Sequence, residues 1–121
     1  MSVFSLKLIL LIIMQIESGG DVNAIGDGGD AVGCMQIHMC VIKDVNRIYG
    51  TDYVSSDRYS KEKSFEIVEL YLHAYTTNDT VEEACRVHNG GPRKIDTDDY
   101  WAKVVALEEW PVPTTYDIRI K

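Results

Sequence analysis

Cysteines and basic residues are both scarce in this chain. Three cysteines among 121 residues, Cys34, Cys40 and Cys85, cannot all pair with one another and so form no disulfide framework. Their simplest interpretation is buried free thiols in a reducing compartment. The 12 Lys and Arg are outnumbered by 19 Asp and Glu, which gives a formal net charge of −7. Because nucleic-acid binders normally present a basic face, this charge argues against a generic nucleic-acid partner.

The sequence also lacks an apolar run long enough to span a membrane. The longest, Leu6–Ile16, is interrupted by Lys7 and Gln15 and falls short of the ~20 residues that a spanning helix needs. Lys7 followed by Leu8–Met14 imitates a signal peptide, but no small-residue cleavage site follows. We therefore expect a buried core helix and no membrane span.

The composition suits one globular domain over residues 1–121. The chain is 45% hydrophobic and 26% charged, enough apolar residues for a core, and it has no internal repeat or linker. Pro111 and Pro113 end regular structure, so residues 107–121 are expected to form an extended tail. We expect a monomer without a cofactor.

Apolar spacing predicts a mainly α fold of the α+β kind, with about five helices. Residues 18–32, rich in Gly and Asp, predict a loop or minimal hairpin after the first helix, with Asp27-Gly28 as its turn. The predicted helices cover residues 4–17, 33–49, 61–76 and 81–88, and Asp98 or Asp99 is the predicted cap of a last one. Ser60 and Thr80 are the predicted caps of the third and fourth helices, and Glu83 completes a capping box with Thr80.

The first helix runs into a single carboxylate and then stops. Glu17 ends the apolar run, and Ser18, Gly19 and Gly20 follow at once. Burial at the inner end of a helix disfavours a charged carboxylate, and a carboxyl that keeps its proton near neutral pH can act as a general acid. The alternative is a Glu that pairs with a basic residue or faces water.

Three further stretches carry candidate site residues. Asp27 and Asp30 lie on the Gly-rich loop, where a second carboxylate could assist an acid or simply form turns. Gln36 is polar among apolar neighbours, and its amide suits sugar hydroxyls or local backbone. His88-Asn89-Gly90-Gly91-Pro92 predicts a sharp helix stop that could also floor a saccharide groove.

Three of these segments together resemble the lysozyme-like superfamily. In order they are Glu17-Ser18-Gly19-Gly20, Gly33-x-Met35-Gln36-Ile37 and His88-Asn89-Gly90-Gly91-Pro92. They look most like the lytic transglycosylase branch with the soluble-transglycosylase domain and its small phage and bacterial relatives. The His-Asn-Gly-Gly-Pro form followed by Tyr100-Trp101 is instead similar to invertebrate-type lysozymes. The resemblance runs from about Ile12 to Val105.

This resemblance implies a role for each matching residue. Glu17 corresponds to the catalytic general acid. Goose-type and invertebrate-type lysozymes carry an Asp shortly after it, for which Asp30 is the first choice and Asp27 the second, whereas lytic transglycosylases require none. His88 stands where transglycosylases usually carry Tyr. The groove residues implied to contact the sugar are Ser18, Met35, Gln36, His88, Asn89 and Gly90.

The implied reaction is cleavage of the β-1,4 bond between N-acetylmuramic acid and N-acetylglucosamine in the peptidoglycan glycan strand. Glu17 protonates the glycosidic oxygen, and the substrate's N-acetyl group or Asp30 meets the charge at the anomeric carbon. If water attacks the anomeric carbon, the enzyme is a lysozyme. If the sugar's own hydroxyl attacks, the enzyme is a lytic transglycosylase. The chain would act on the bacterial cell wall as a phage virion part, a lysis enzyme or a bacterial protein.

Two other classes of function are compatible with the residues. Cys34 with His38, and Cys85 with His88, are spaced to share helix faces, and two Cys with two His suit zinc. A wall-binding or structural module could also keep the fold without the activity. The retained Glu17 argues against that second alternative.

Overall fold

A computed structural model describes residues 3–78 and 80–107, and five α-helices and one two-stranded antiparallel sheet lie within them. The mainly α class with a minimal hairpin is confirmed. None of the described helices is both long and apolar enough to cross a membrane. The predicted tail lies outside the described residues from position 108 onward. The elements are α1 (Val3–Glu17), β1 (Ile25–Gly26), β2 (Ala31–Val32), α2 (Met39–Tyr49), α3 (Lys61–Tyr75), α4 (Val81–Gly90) and α5 (Asp98–Val105).

The central element is α1, which packs against α3, α4 and α5. Ile9, Ile12 and Ile13 are at most 1% exposed, and burial of such a side chain stabilises a fold by roughly 1.5–3 kcal/mol. Lys7 and Gln15 form its exposed edge. The helix ends as predicted, because Gly19 adopts φ 64° and donates its N–H to the carbonyls of the last turn.

The prediction that residues 33–49 form one helix is wrong in its first third, since α2 begins only at Met39. Residues 33–38 instead form a turn in which Val32 and Ile37 exchange backbone hydrogen bonds. Met35 is buried and lies four residues before Met39, which packs against the core, so their spacing imitates a helix. Gln36 has φ 51°, which an α-helix excludes. The predicted end at Gly50 is confirmed.

Arg58 holds this turn in place, although it lies in a stretch that sequence patterns leave irregular. The residue is 6% exposed, and its guanidinium donates to the carbonyl oxygens of Asp30, Ile37 and Ser55. The approach is so close that a Cβ at Gly33 would lie 1.8 Å from the Arg58 carbonyl oxygen. Gly33 is therefore required by both space and its φ of 86°.

The predicted starts of the later helices are largely confirmed. The Ser60 and Thr80 hydroxyls accept the N–H groups of Lys63 and Glu83. Glu83 does not return to the Thr80 N–H, because its carboxylate accepts hydrogen bonds from the 77–78 backbone instead. The predicted cap at Asp98 or Asp99 is wrong, because both residues lie within the first turn of the last helix. This helix begins at Asp98 after Thr97, and no side-chain cap is made at its N-terminus.

Candidate functional site

A polar cleft of about 270 Å³ opens where the end of α1 meets the hairpin, the 36–38 turn, α4 and α5. The polar groups that line it come from five separate parts of the chain, so only the folded chain assembles them. The lining residues are Ile16, Glu17, Asp27, Ala31, Gln36, His38, His88, Asn89, Tyr100 and Lys103.

Glu17 and His88 form a sheltered pair at one side of this cleft. The His88 Nε2 lies 3.2 Å from Oε2 of Glu17, and the two side chains are 7% and 17% exposed. The same nitrogen lies 3.0 Å from the Met35 carbonyl oxygen. Because a carbonyl only accepts, Nε2 must carry the hydrogen, which assigns the tautomer of His88. His88 thus presents an N–H to the Glu17 carboxylate.

Tyr100 adds a hydroxyl to the same pocket. Its side chain is buried, and its Oη has no hydrogen-bond partner among the described residues. Burial raises the pKa of this phenol far above its ordinary value, and the negative charge of Glu17 raises it further. The hydroxyl therefore stays protonated and can donate to Glu17 or to a ligand. The sequence indicated only a core or groove-wall residue here.

Three predicted sugar-contact residues do not line the cleft. Met35 is 0% exposed, so its side chain belongs to the core, and its carbonyl is the group that matters to His88. The Ser18 hydroxyl donates to the Cys34 carbonyl at 2.8 Å and ties the end of α1 to the turn. At Gly90 a Cβ would come within 2.5 Å of the Ile95 carbonyl oxygen, so this glycine permits close backbone packing.

Gln36 and Asn89 do line the cleft, as predicted from the sequence. The Gln36 amide nitrogen donates to the carbonyls of Ala24 and Gly33, at 3.2 and 3.0 Å. These bonds fix the side chain and leave its amide oxygen as the acceptor that a ligand could meet. Asn89 is exposed at the end of α4, where its amide is accessible.

The two candidate aspartates lie in different places. Asp27, the second choice, lines the cleft, and its Oδ2 lies 2.9 Å from Nε2 of His38. Asp30, the first choice, lines a neighbouring cavity of about 250 Å³, which shares His38 with the cleft but does not include Asp27. The two aspartates are three residues apart on the hairpin turn, and they line different cavities. The structure therefore brings Asp27, and not Asp30, to Glu17.

A larger cavity, of about 610 Å³, lies between α1 and α3. Its walls are mostly apolar, with exposed charges such as Lys61, Glu62 and Glu69 at the rim. No predicted site residue lines it. The smaller cleft is the candidate site because it combines a sheltered carboxyl with several fixed hydrogen-bonding groups.

The zinc alternative is not supported by the geometry. In residues 3–78 and 80–107, no three His, Cys, Asp or Glu side chains are grouped so that they could hold a metal ion. Cys34 and Cys85 are buried free thiols, whereas His38 and His88 contact Asp27 and Glu17. The four residues proposed as ligands therefore do not form one site.

Comparison of this chain with family models, with curated proteins and with solved structures gives no match. The residues of the cleft are therefore the basis for a functional assignment. Those residues provide a sheltered carboxyl, a second carboxylate bound to a solvated imidazole, the cationic Lys103 and neutral hydrogen-bonding groups. Such a set can transfer protons to and from a polar ligand.

Proposed function

We propose that this chain cleaves the β-1,4 glycosidic bond between N-acetylmuramic acid and N-acetylglucosamine in peptidoglycan, with Glu17 as the general acid. The proposal combines the three lysozyme-like motifs with the position of this carboxyl. The observation that carries it is the sheltered Glu17 at the end of a rigid central helix, in a cleft lined by amide and hydroxyl groups.

Glycoside cleavage needs a proton delivered to the leaving oxygen at a fixed place. Glu17 meets the positional requirement because α1 is buried along most of its length and Gly19 stops it one turn beyond the core. The His88 N–H and the Tyr100 hydroxyl border the carboxyl and can hold its orientation. Gln36 and Asn89 supply the acceptor and donor groups that sugar hydroxyls and N-acetyl groups bind.

The direct test is digestion of purified peptidoglycan by the full chain and by Glu17→Gln. This change removes the acidic proton and keeps the shape, so we expect the rate to fall by at least about 100-fold. Glu69→Gln is the matched control, because it removes a carboxylate from the exposed face of α3. Equal digestion by wild type and Glu17→Gln, with both folded, would remove Glu17 from the reaction.

Mass spectrometry of the released muropeptides identifies the reaction. Full-mass reducing products indicate hydrolysis, and products lighter by one water indicate lytic transglycosylation. Binding to peptidoglycan without any released product would favour the inactive wall-binding module instead.

A further inference from the structure

We infer that His38, oriented by Asp27, is the base that activates the attacking water, so that the reaction is hydrolysis with inversion at the anomeric carbon. This inference rests on the proposed function. It assigns a role to a histidine that sequence patterns marked only as a zinc ligand, and it chooses between the two product types.

The hydrogen bond between the two side chains determines which ring nitrogen is free. Asp27 Oδ2 lies 2.9 Å from Nε2 of His38, and an ionised carboxylate can only accept. Nε2 therefore carries the hydrogen, and Nδ1 keeps the lone pair that can take a proton. No described residue hydrogen-bonds to Nδ1. The Asp27 carboxylate would also stabilise the imidazolium that forms, as in other carboxylate–histidine pairs.

The two proton-transfer groups of the cleft have opposite environments. Glu17 and His88 are 17% and 7% exposed, whereas the side chains of His38 and Asp27 are 42% and 69% exposed. A sheltered carboxyl is suited to act as the acid, and a solvated imidazole is suited to act as the base because water can reach it. His88 is less suited to this role, because its side chain is only 7% exposed and its Nε2 lies against both Glu17 and the Met35 carbonyl.

Asp27 has an uncommon backbone conformation. Its φ of 50° lies in the left-handed region, which Asp adopts more readily than most other non-glycine residues. Gln36, with φ 51°, lies in the same region and lines the same cleft. Lys94 and Asp96 adopt the same conformation outside the cleft, so this geometry counts only together with the bond between Asp27 and His38.

The step balances as a single displacement. Glu17 gives its proton to the glycosidic oxygen while the bond from that oxygen to the anomeric carbon breaks. The water oxygen bonds to the anomeric carbon from the other face, and one water proton passes to Nδ1 of His38. The products are two sugar hydroxyls, an ionised Glu17 and a protonated His38. Proton return through solvent restores the starting state.

The test uses soluble, uncross-linked glycan strands of alternating N-acetylglucosamine and N-acetylmuramic acid. Proton NMR records the anomer formed before mutarotation, and mass spectrometry records product mass. We expect full-mass products whose new reducing end is initially the α anomer. His38→Ala should lower the rate by about 100-fold, with partial rescue by added imidazole, and Asp27→Asn should lower it less.

His73→Ala is the matched control, because His73 is exposed on α3 away from the cleft. His38→Ala should fold, since the only hydrogen bond that its side chain makes to a described residue is the one to Asp27. Anhydro products, an initial β anomer, or a His38→Ala rate equal to that of His73→Ala would overturn the role of His38 while leaving glycan cleavage intact. Absence of any cleavage by wild type would overturn the proposed function itself.

Discussion

His88 Nε2 lies 3.2 Å from Oε2 of Glu17 and 3.0 Å from the Met35 carbonyl oxygen. A single N–H of His88 therefore contacts both the candidate acid and the turn that contains Met35. His88→Ala would leave the carbonyl without this donor and free Glu17 to change rotamer. We expect a loss of about 1–3 kcal/mol in the free energy of unfolding and a fall in glycan cleavage of roughly 100-fold. Urea unfolding and peptidoglycan digestion measure the two effects.

His88→Gln separates the two contributions, because its amide can still donate to a carbonyl. We expect it to recover more stability than activity. A fully active His88→Ala would show that Glu17 needs no orientation by this residue.

Removal of the Tyr100 hydroxyl should have opposite effects on stability and activity. Its buried hydroxyl has no described partner, so Tyr100→Phe should be neutral or should raise the free energy of unfolding by about 1 kcal/mol. Loss of a donor beside Glu17 should lower activity about 10-fold, the worth of one hydrogen bond. Thermal unfolding and digestion rates test the pair of effects.

Tyr75→Phe is the control for this pair, because the Tyr75 hydroxyl bonds to Asp44 outside the cleft. It should lower stability slightly and leave activity unchanged. A Tyr100→Phe protein with lower stability would mean that the hydroxyl has a partner in the folded chain.

Protonation of the Glu83 carboxylate should lower the stability of the fold in acid. Burial opposes ionisation of its carboxyl, but hydrogen bonds from the Asn78 and Thr77 backbone outweigh burial and hold its pKa below the ordinary value. A lowered pKa stabilises the fold at pH values above the unfolded-state pKa of about 4.5, and this contribution disappears as pH falls through the folded-state pKa. We expect Glu83→Gln to cost about 1.5–3 kcal/mol at pH 7.

Unfolding at pH 7 and at pH 3 measures this effect. The difference in stability between wild type and Glu83→Gln should narrow at the lower pH. Glu82→Gln, which alters an exposed carboxylate of the same helix turn, is the matched control. If the difference in the free energy of unfolding between wild type and Glu83→Gln stayed constant with pH, the hydrogen bonds would not depend on an ionised Glu83.

The cysteines predict selective thiol chemistry. Cys40 is exposed, whereas Cys34 and Cys85 are buried and 0% exposed. Burial raises the pKa of the Cys34 thiol, and it raises that of Cys85 to about 12, so neither forms the reactive thiolate near neutral pH. A disulfide reagent should modify Cys40 alone in the native chain and all three thiols in denaturant. Native Cys40→Ser should not react.

Sequence patterns found Glu17 because the signal is local. An apolar run that ends at a carboxylate followed by two glycines specifies both the buried helix and the place where it stops. The cap at Ser60 was found for the same reason. The sequence does not predict the start of α2 correctly, since Met35 lies in a turn but four residues before Met39, an interval that also fits a helix. The long-range bonds from Arg58 and the backbone bonds between Val32 and Ile37 distinguish the two, and neither has a local signature.

The position of the second carboxylate could not be predicted from the sequence. Asp27 and Asp30 lie in the same glycine-rich stretch, and which one faces Glu17 depends on the hairpin turn and on the bond from Arg58 to the Asp30 carbonyl. The pairing of His38 with Asp27 spans 11 residues and has no local signature. Roles for these residues remain predictions, whereas their positions are findings.

The hold of Arg58 on the hairpin has a consequence for redesign. Its guanidinium binds the main-chain oxygens of Asp30 and Ile37, which every amino acid possesses. The side chain of Asp30 can therefore be exchanged without dismantling the anchor beneath it, and such variants would change the lining of the adjoining cavity. Gly28 and Gly29 must stay glycine because their φ angles are 66° and 106°, and replacement of Arg58 itself would loosen every variant at once.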